Sequence, residues 1–318
     1  MNNSAPAVCP ICHSNSWNFL FETHDADLCS KHNFQLYVCS ECNLRIVHPQ
    51  PSADELAAFY HEYYYGTEGG LGILQKYFKS IAGAIRTRIA SRFVNSGRLL
   101  DVGCGDGSFL NACELKGRYE LHGQDLSEIS KKRFMANKNI TYHHGKISAI
   151  TLNQYFDLVT LWASFEHFSN PIDELLQLRR LIKPGGGLLI MIPNTLGLQA
   201  RLSFKNWFHL DVPRHLFHYD HRNIQRLLEQ NGFLVTNVQH GMVEHSVYGW
   251  LQTLYNILGF RFNLLYRLIK HGQNENTIQN LLQLILMPLM ICISLALHFF
   301  EIAFRHSGII IVMARRNE

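Results

Sequence analysis

Three glycines at alternating positions, Gly103, Gly105 and Gly107, follow the apolar run Leu99-Leu-Asp-Val102 and precede a helical pattern from Ser108. No other stretch limits the fold so tightly. It reads as a strand, a tight turn and a helix start, the arrangement with which an open α/β sheet holds a nucleotide-like ligand. Glycine serves where the backbone must take positive φ or approach a ligand closely, because a Cβ would collide. The helix N-terminus adds free N–H groups for polar or anionic ligand atoms. The turn alone does not say which ligand.

Beyond Ser108 the chain alternates helix and strand, the pattern of a parallel sheet. The expected strands are Glu120–Asp125, Ile140–His144, Phe156–Trp162, Leu188–Ile192, Phe233–Val238 and Gly308–Met313, after a first strand ending at Asp101-Val-Gly103. The expected helices are Ser108–Lys116, Ile172–Ile182 and Arg222–Asn231, the second stopped by Lys183-Pro-Gly-Gly-Gly187. Asp125 stands eighteen residues beyond Gly107, where a doubly wound fold puts a carboxylate against ribose hydroxyls. A chain of 318 residues with 47% hydrophobic content has room for one such domain and smaller additions. Its net charge of +4 leaves no basic footprint, so no nucleic-acid partner is expected.

The start of the chain carries a second signal. Cys9-Pro-Ile-Cys12 and Cys39-Ser-Glu-Cys42 supply four thiolates at the spacing of a tetrahedral zinc ribbon. A redox CxxC sits singly at a helix start beside a βαβ unit instead. His13 and His32 are alternative ligands, Cys29 a spare. Met1-Asn-Asn-Ser-Ala-Pro6 has neither a basic nor an apolar leader region, which places the cysteines in a reducing, cytoplasmic setting. The ribbon serves either to recognise a partner or to staple a segment too small to fold alone. His48-Pro-Gln-Pro51 reads as a rigid link, and Ser52-Ala-Asp-Glu55 as a capping box opening a helix through Tyr60. Tyr60, Tyr63, Tyr64 and Tyr65 with Gly66, Gly69 and Gly70 suggest a loop over the ligand site. A helix from Leu74 to Phe93 is expected to bury Ile81, Ala84, Ile85 and Ile89, and to leave Arg86, Arg88 and Arg92 solvated.

Together these pieces resemble the class I S-adenosylmethionine-dependent methyltransferases over residues 95–241 and the final strand. The motifs are Asp101-Val-Gly-Cys-Gly-Asp-Gly107, Gly123-Gln-Asp-Leu-Ser127, the segment from Phe156 through Trp162 to Phe165-Glu-His-Phe-Ser-Asn-Pro171, and Leu181–Gly187 with Pro193-Asn194. The resemblance implies a Rossmann-like, doubly wound, mostly parallel seven-stranded sheet. It also implies S-adenosylmethionine held by Asp101, Gly103, Gly105, Gly107, Asp125, Leu126 and Trp162. The ribbon and Asp211-Val-Pro-Arg-His-Leu216 are similar to a bacterial subfamily associated with surface polysaccharide or glycolipid synthesis, and the ribbon to zinc-containing sugar C-methyltransferases. Two positions depart from the pattern: Lys146-Ile147 replaces an acid after Gly145, and Ala163 a histidine.

In-line methyl transfer needs positioning and, for some acceptors, a base. His167, beside Glu166, and His215 are the candidate bases; loop capping and packing are their structural alternatives. Arg214 suits a substrate phosphate or carboxylate. His209, His215, His218 and His221 lack a metal-ligand spacing.

Between the last two strands lies a hydrophobic insertion, 242–307, with one helix expected over Val247–Lys270 and a nearly unbroken apolar run over Leu281–Phe300. Gln252, Asn256, Gly259, Asn263, Arg267 and Lys270 form a narrow polar stripe on the first. If Gly308–Met313 completes the sheet, both ends of the insertion lie on one side, so a monotopic or re-entrant hairpin on the inner membrane surface is expected. A buried cap and a dimer interface are the alternatives. The resulting organisation is a zinc ribbon (1–50), a helical linker or lid (51–96), a methyltransferase core (97–241), the insertion (242–307) and a last core strand (308–318). The expected activity is O-methylation of a small-molecule, glycan or lipid-linked acceptor at the cytoplasmic face. A zinc-ribbon interaction protein with a degenerate pocket and an NAD-dependent oxidoreductase are the competing readings; the GxGxG spacing disfavours the second.

Overall fold

The computed structural model describes residues 8–26, 32–59, 72–134, 137–271 and 277–318. Cys29 and the tyrosine- and glycine-rich stretch from Tyr60 to Gly70 lie outside the described residues. In chain order the elements are β1 (Trp17–His24), β2 (Asn33–Cys39), β3 (Arg45–His48), α1 (Ala53–Ala58), α2 (Gly72–Phe93), β4 (Gly97–Val102) and α3 (Ser108–Glu114). Then come β5 (Tyr119–Asp125), α4 (Glu128–Phe134), β6 (Ile140–His144), β7 (Phe156–Trp162), α5 (Pro171–Leu181), β8 (Ile182–Pro193) and α6 (Leu198–Ser203). The chain ends with β9 (Phe217–His218), α7 (His221–Gln230), β10 (Phe233–His240), α8 (Val243–Ile257), α9 (Leu264–His271), α10 (Thr277–Ala303) and β11 (Ile309–Arg316). They fall into two interleaved compact units. One is Met1–Gly69 with Pro193–Ile224 and His240–Ile310; the other is Gly70–Ile192 with Gln225–Gln239 and Ile311–Glu318.

The second unit is built on the expected sheet, in the order β10-β11-β8-β7-β4-β5-β6. Strands β4, β5, β6, β7 and β8 pair in parallel, and their unbroken apolar runs are buried: Leu99 and Leu100, Leu158 and Val159, Leu188 to Ile192. Such runs need cover on both faces of the sheet. Strand β4 pairs with β5 on one side and β7 on the other, so the connections diverge at its carboxyl end. That is the topological switch point, and the glycine turn occupies it. The last strand does complete the sheet, between β8 and β10.

Three local expectations change. Strand β8 starts at Ile182, directly after α5, and a register shift against β7 absorbs the Lys183–Gly186 stretch. Helix α2 exposes Ile81 and Ala84 and buries Gly83, Thr87 and Ala90. A Cβ at Gly83 would stand 2.8 Å from the Ser108 carbonyl, so the small residues face α3 and set the close approach. Arg86 is not solvated: its guanidinium lies 5.5 Å from the Trp162 ring.

In the first unit a four-stranded sheet, β1-β2-β3-β9, carries the N-terminal cysteines. The capping box forms as read: the Ser52 amide donates to Glu55 Oε2 at 2.8 Å and the Glu55 amide to Ser52 Oγ at 3.3 Å. Phe34, Leu36 and Val47 share a core with Trp207, Leu210 and Val212. The ribbon strands therefore fold together with the 193–224 segment. The expected helix over Val247–Lys270 is two helices, α8 and α9, broken where Gly259 and Asn263 take φ of 83° and 52°. Asn263 is held there because its amide donates to Asn256 Oδ1 at 3.0 Å and its Nδ2 to the Ala26 carbonyl at 3.2 Å.

Candidate active site

The turn after β4 is tied to the end of β5. The Gly103 and Cys104 amides donate to the Gln124 carbonyl at 2.9 and 3.0 Å. The Gly105 amide donates to Asp125 Oδ2 at 2.9 Å, and the Ser127 amide to Asp125 Oδ1 at 2.8 Å. A carboxylate offers about four acceptor sites, so Asp125, oriented by these backbone donors and by the Leu126 amide, keeps capacity for a ligand. Burial raises its pKa.

The glycines of the turn have different duties. Gly105 has φ of 53°, and a Cβ there would meet nothing nearer than the Gly103 carbonyl at 4.0 Å. The space over Gly105 is open, a cradle that a side chain would fill. A Cβ at Gly107 would instead collide with the Phe134 ring; that glycine lets α4 pack against the turn and is not left open for a ligand.

Asp101 lies beneath the turn, 3% exposed, and accepts a 2.7 Å hydrogen bond from Thr160 Oγ1. Burial pushes its carboxyl up to about 7. Trp162 ends β7, edge-on to Phe109 at 5.3 Å, and its buried Nε1–H has no acceptor among the described residues. An orphaned buried donor is costly, and a ligand acceptor would satisfy it. Leu126 is 66% exposed, just past Asp125. Lys146 is exposed at the start of a short 3-10 turn after β6.

Two further residues of this unit escaped the sequence pattern. Lys79 of α2 pairs with Asp106 of the glycine turn at 2.6 Å. Burial works to raise the Asp106 carboxyl, and the Lys79 ammonium brings it below its ordinary range. Arg86 also lowers the Asp101 pKa through its charge. Periodicity marked Arg86 as solvated, and gave Lys79 no reading, because it reports a helix face and not what that face meets.

His167 ends a 3-10 turn after β7 and is half-buried, beside the buried Glu166. In the first unit His215 is buried, with Nδ1 2.9 Å from the His209 carbonyl. Since a carbonyl only accepts, Nδ1 carries the proton and Nε2 is the basic nitrogen, 3.7 Å from Asp211 Oδ2. Arg214 is fully buried: Nη2 donates to Asp211 Oδ1 at 2.5 Å and Nη1 to Asp25 Oδ1 at 3.3 Å. Its fork is engaged by two carboxylates of its own chain. That joins the end of β1 to the Asp211–Leu216 segment in place of the expected contact with a substrate anion.

The cysteines form two matching knuckles. In each, the first cysteine's amide donates to the carbonyl five residues on (Cys9 to Ser14, Cys39 to Leu44), and the amide four residues on donates back (His13 to Cys9, Asn43 to Cys39). His13 and Asn43 both take φ of 60°. The four sulfurs lie within 4.8 Å of one another, with Cys9–Cys42 at 3.5 Å and Cys12–Cys39 at 3.4 Å. Sulfurs about 2.3 Å from one zinc ion stand about 3.8 Å apart, so this donor set fits it. The contact with Cys42 pulls the Cys9 thiol down to about 5 and pushes Cys42 itself up. Four such thiols do not all ionise without a cation between them. His13 is exposed and outside this cluster.

The sheet order and the glycine turn at its switch point define the Rossmann-like S-adenosylmethionine-dependent methyltransferase class. Residues 74–238, more than half of the chain, match the family described as a methyltransferase domain. The chain belongs to that family. It is 35% identical over 95 residues to the ubiquinone biosynthesis O-methyltransferase of Roseobacter denitrificans, covering 28% of this chain and 38% of that one. It is 30% identical over 165 residues to the enzyme of the same name from Maricaulis maris, covering 46% and 64%. The chain thus spans less than two thirds of either relative. A solved S-adenosylmethionine-dependent methyltransferase of Archaeoglobus fulgidus aligns at 18% identity with a TM-score of 0.48, covering 75% of this chain and 94% of that one.

Proposed function

We propose that this chain transfers a methyl group from S-adenosylmethionine to an oxygen of a polar, lipid-linked acceptor such as a glycolipid or glycan precursor. The observation that carries the cofactor reading is the Gly105–Asp125 contact at the switch point, beneath open space that only glycine leaves. When bound, the sulfonium supplies an already activated methyl group. This chain's residues supply the rest. The glycine turn and Asp125 hold the nucleoside end, with Leu126 against its apolar surface and the Trp162 Nε1–H as a further donor. Lys79 and Arg86 balance the acids of the turn. Asp101, with its raised pKa, acts beneath the turn as a support fixed by Thr160.

His167 and His215 are the candidate bases for the acceptor hydroxyl. His215, whose Nδ1–H is fixed by a carbonyl, has Nε2 as the nitrogen able to take a proton. We assign Arg214 to positioning the Asp211–Leu216 segment. Cys9, Cys12, Cys39 and Cys42 hold a structural zinc ion that closes the ribbon. The oxygen acceptor is supported by the O-methyltransferase relatives, and the lipid-linked class by the subfamily resemblance and the apolar insertion.

The test is transfer of tritiated methyl from S-adenosylmethionine by the full chain, offered a polar-lipid extract and, separately, total tRNA. Label in the organic phase that depends on Asp125 is expected. Label in tRNA alone overturns the acceptor class, and label in neither overturns the activity.

A further inference from the structure

Helix α10 is amphipathic in the wrong sense for water. Its buried face carries Asn280, Gln283, Ser294, His298 and Glu301 besides Met290. Its exposed face is apolar from end to end, with Leu281, Leu284, Ile285, Leu289, Phe299 and Phe300 among residues 37 to 74% exposed. A helix on the surface of a water-facing protein sorts the other way. In the preceding helices a polar stripe of Gln252, Asn256, Asn263 and Arg267 is also buried, beside Trp250, Leu251, Tyr255, Leu264 and Leu265, while Ile257, Leu258 and Ile269 stand exposed.

Two hydrogen bonds tie the inner side to the fold: the Tyr255 hydroxyl donates to the Gln283 backbone carbonyl at 2.6 Å, and Glu301 Oε1 accepts from the Gln199 amide at 3.1 Å. Met290 packs with Leu251, Tyr255 and Leu265. Contacts near both ends and the middle of α10 thus fix its inner side to protein. The helix is long and apolar enough to cross a bilayer, but a helix held along one side by its own chain cannot be ringed by lipid. It can lie in the membrane plane with one face immersed.

We infer that the outer face of α10 seats in the leaflet of an anionic phospholipid bilayer, the helix lying parallel to the surface. Charge complementarity selects that occupant over a second copy of the chain. Arg261, beside the N-terminal turn through Gln279, and Arg305 beyond the C-terminus are exposed. Among the described residues, no exposed acid lies between 277 and 306. Among the described residues, the exposed face of α10 offers no side-chain hydrogen-bonding group other than the weak Cys292 thiol with which a protein partner would be registered; a lipid leaflet needs none. The inference deepens the lipid-linked acceptor reading, because an enzyme seated this way meets its acceptor at the headgroup level. It is independent of the cofactor: vesicle binding and S-adenosylmethionine binding can each fail alone.

The experiment is flotation of the full chain with vesicles of phosphatidylcholine, with and without phosphatidylglycerol. The wild-type chain is expected to float with the anionic vesicles, and less in high salt. The triple variant Leu284→Gln, Ile285→Gln, Leu289→Gln changes only water-facing side chains, so its melting should hold while the floated fraction falls by about tenfold or more. Exposed Cys292 gives a readout without substitution: its reaction with a water-soluble maleimide, followed in its own peptide by mass spectrometry, should slow when anionic vesicles are added. A wild-type chain that stays unbound, a triple variant that floats as well as wild type, or a dimer that the triple variant dissociates without any vesicle binding overturns the inference.

Discussion

The glycine turn separates residues that look alike in sequence. Gly105 stands over open space and Gly107 under the Phe134 ring, so substitutions there should fail differently. Gly105→Val should leave a folded chain, weakened by about 1–2 kcal/mol of left-handed strain, with S-adenosylmethionine binding lowered by an order of magnitude or more in calorimetry. Gly107→Val adds a clash with the Phe134 ring to the same strain and should lower the melting temperature further. Asp101 yields a pH prediction. Burial raises its carboxyl to about 7, so the folded chain keeps a proton that the unfolded chain releases from about pH 4 upward. Its contribution is therefore full below about pH 4 and is lost as pH rises to about 7. Denaturant midpoints of the ligand-free chain across that window should fall more steeply for wild type than for Asp101→Asn.

The motif residues of the turn and of Asp125 were legible because their spacing encodes backbone geometry. Arg86 and Lys79 were not. Helical periodicity says that they share a face, and only the fold shows that this face meets Trp162 and Asp106.

At the scale of elements, the buried Arg214 joins two segments far apart in sequence through Asp25 and Asp211. Arg214→Met leaves Asp25 buried without a counter-charge and should cost about 3–5 kcal/mol of stability, part of which Asp25→Asn in the same chain should recover. Urea unfolding of the single and double variants checks this. The two cysteine knuckles predict about one zinc per chain by atomic emission, a content that Cys12→Ser should sharply reduce together with the melting temperature. The CxxC spacing made the cluster of four cysteines readable. The partnership of the ribbon with Trp207, Leu210 and Val212 was not readable, because nothing local in an apolar residue names its distant neighbour. The break between α8 and α9 was missed for a related reason. Asn263 is held at positive φ by Asn256 and Ala26, and those contacts are made by the fold.

For the molecule as a whole, the parallel sheet was legible in the alternating strand and helix patterns, but the place of the last strand between β8 and β10 was not, because alternation does not fix strand order. The insertion was legible as apolar but not as inverted. Composition counts Gln252, Asn256, Gln283 and His298 without saying that all four turn inward. The central claim is that the switch point of this sheet holds S-adenosylmethionine. The most direct test is calorimetric titration of the full chain with S-adenosylmethionine and, in parallel, with NAD. One site per chain for S-adenosylmethionine, lost in Gly105→Val and absent with NAD, is the predicted result; no heat with S-adenosylmethionine, or binding of NAD in its place, would contradict the account.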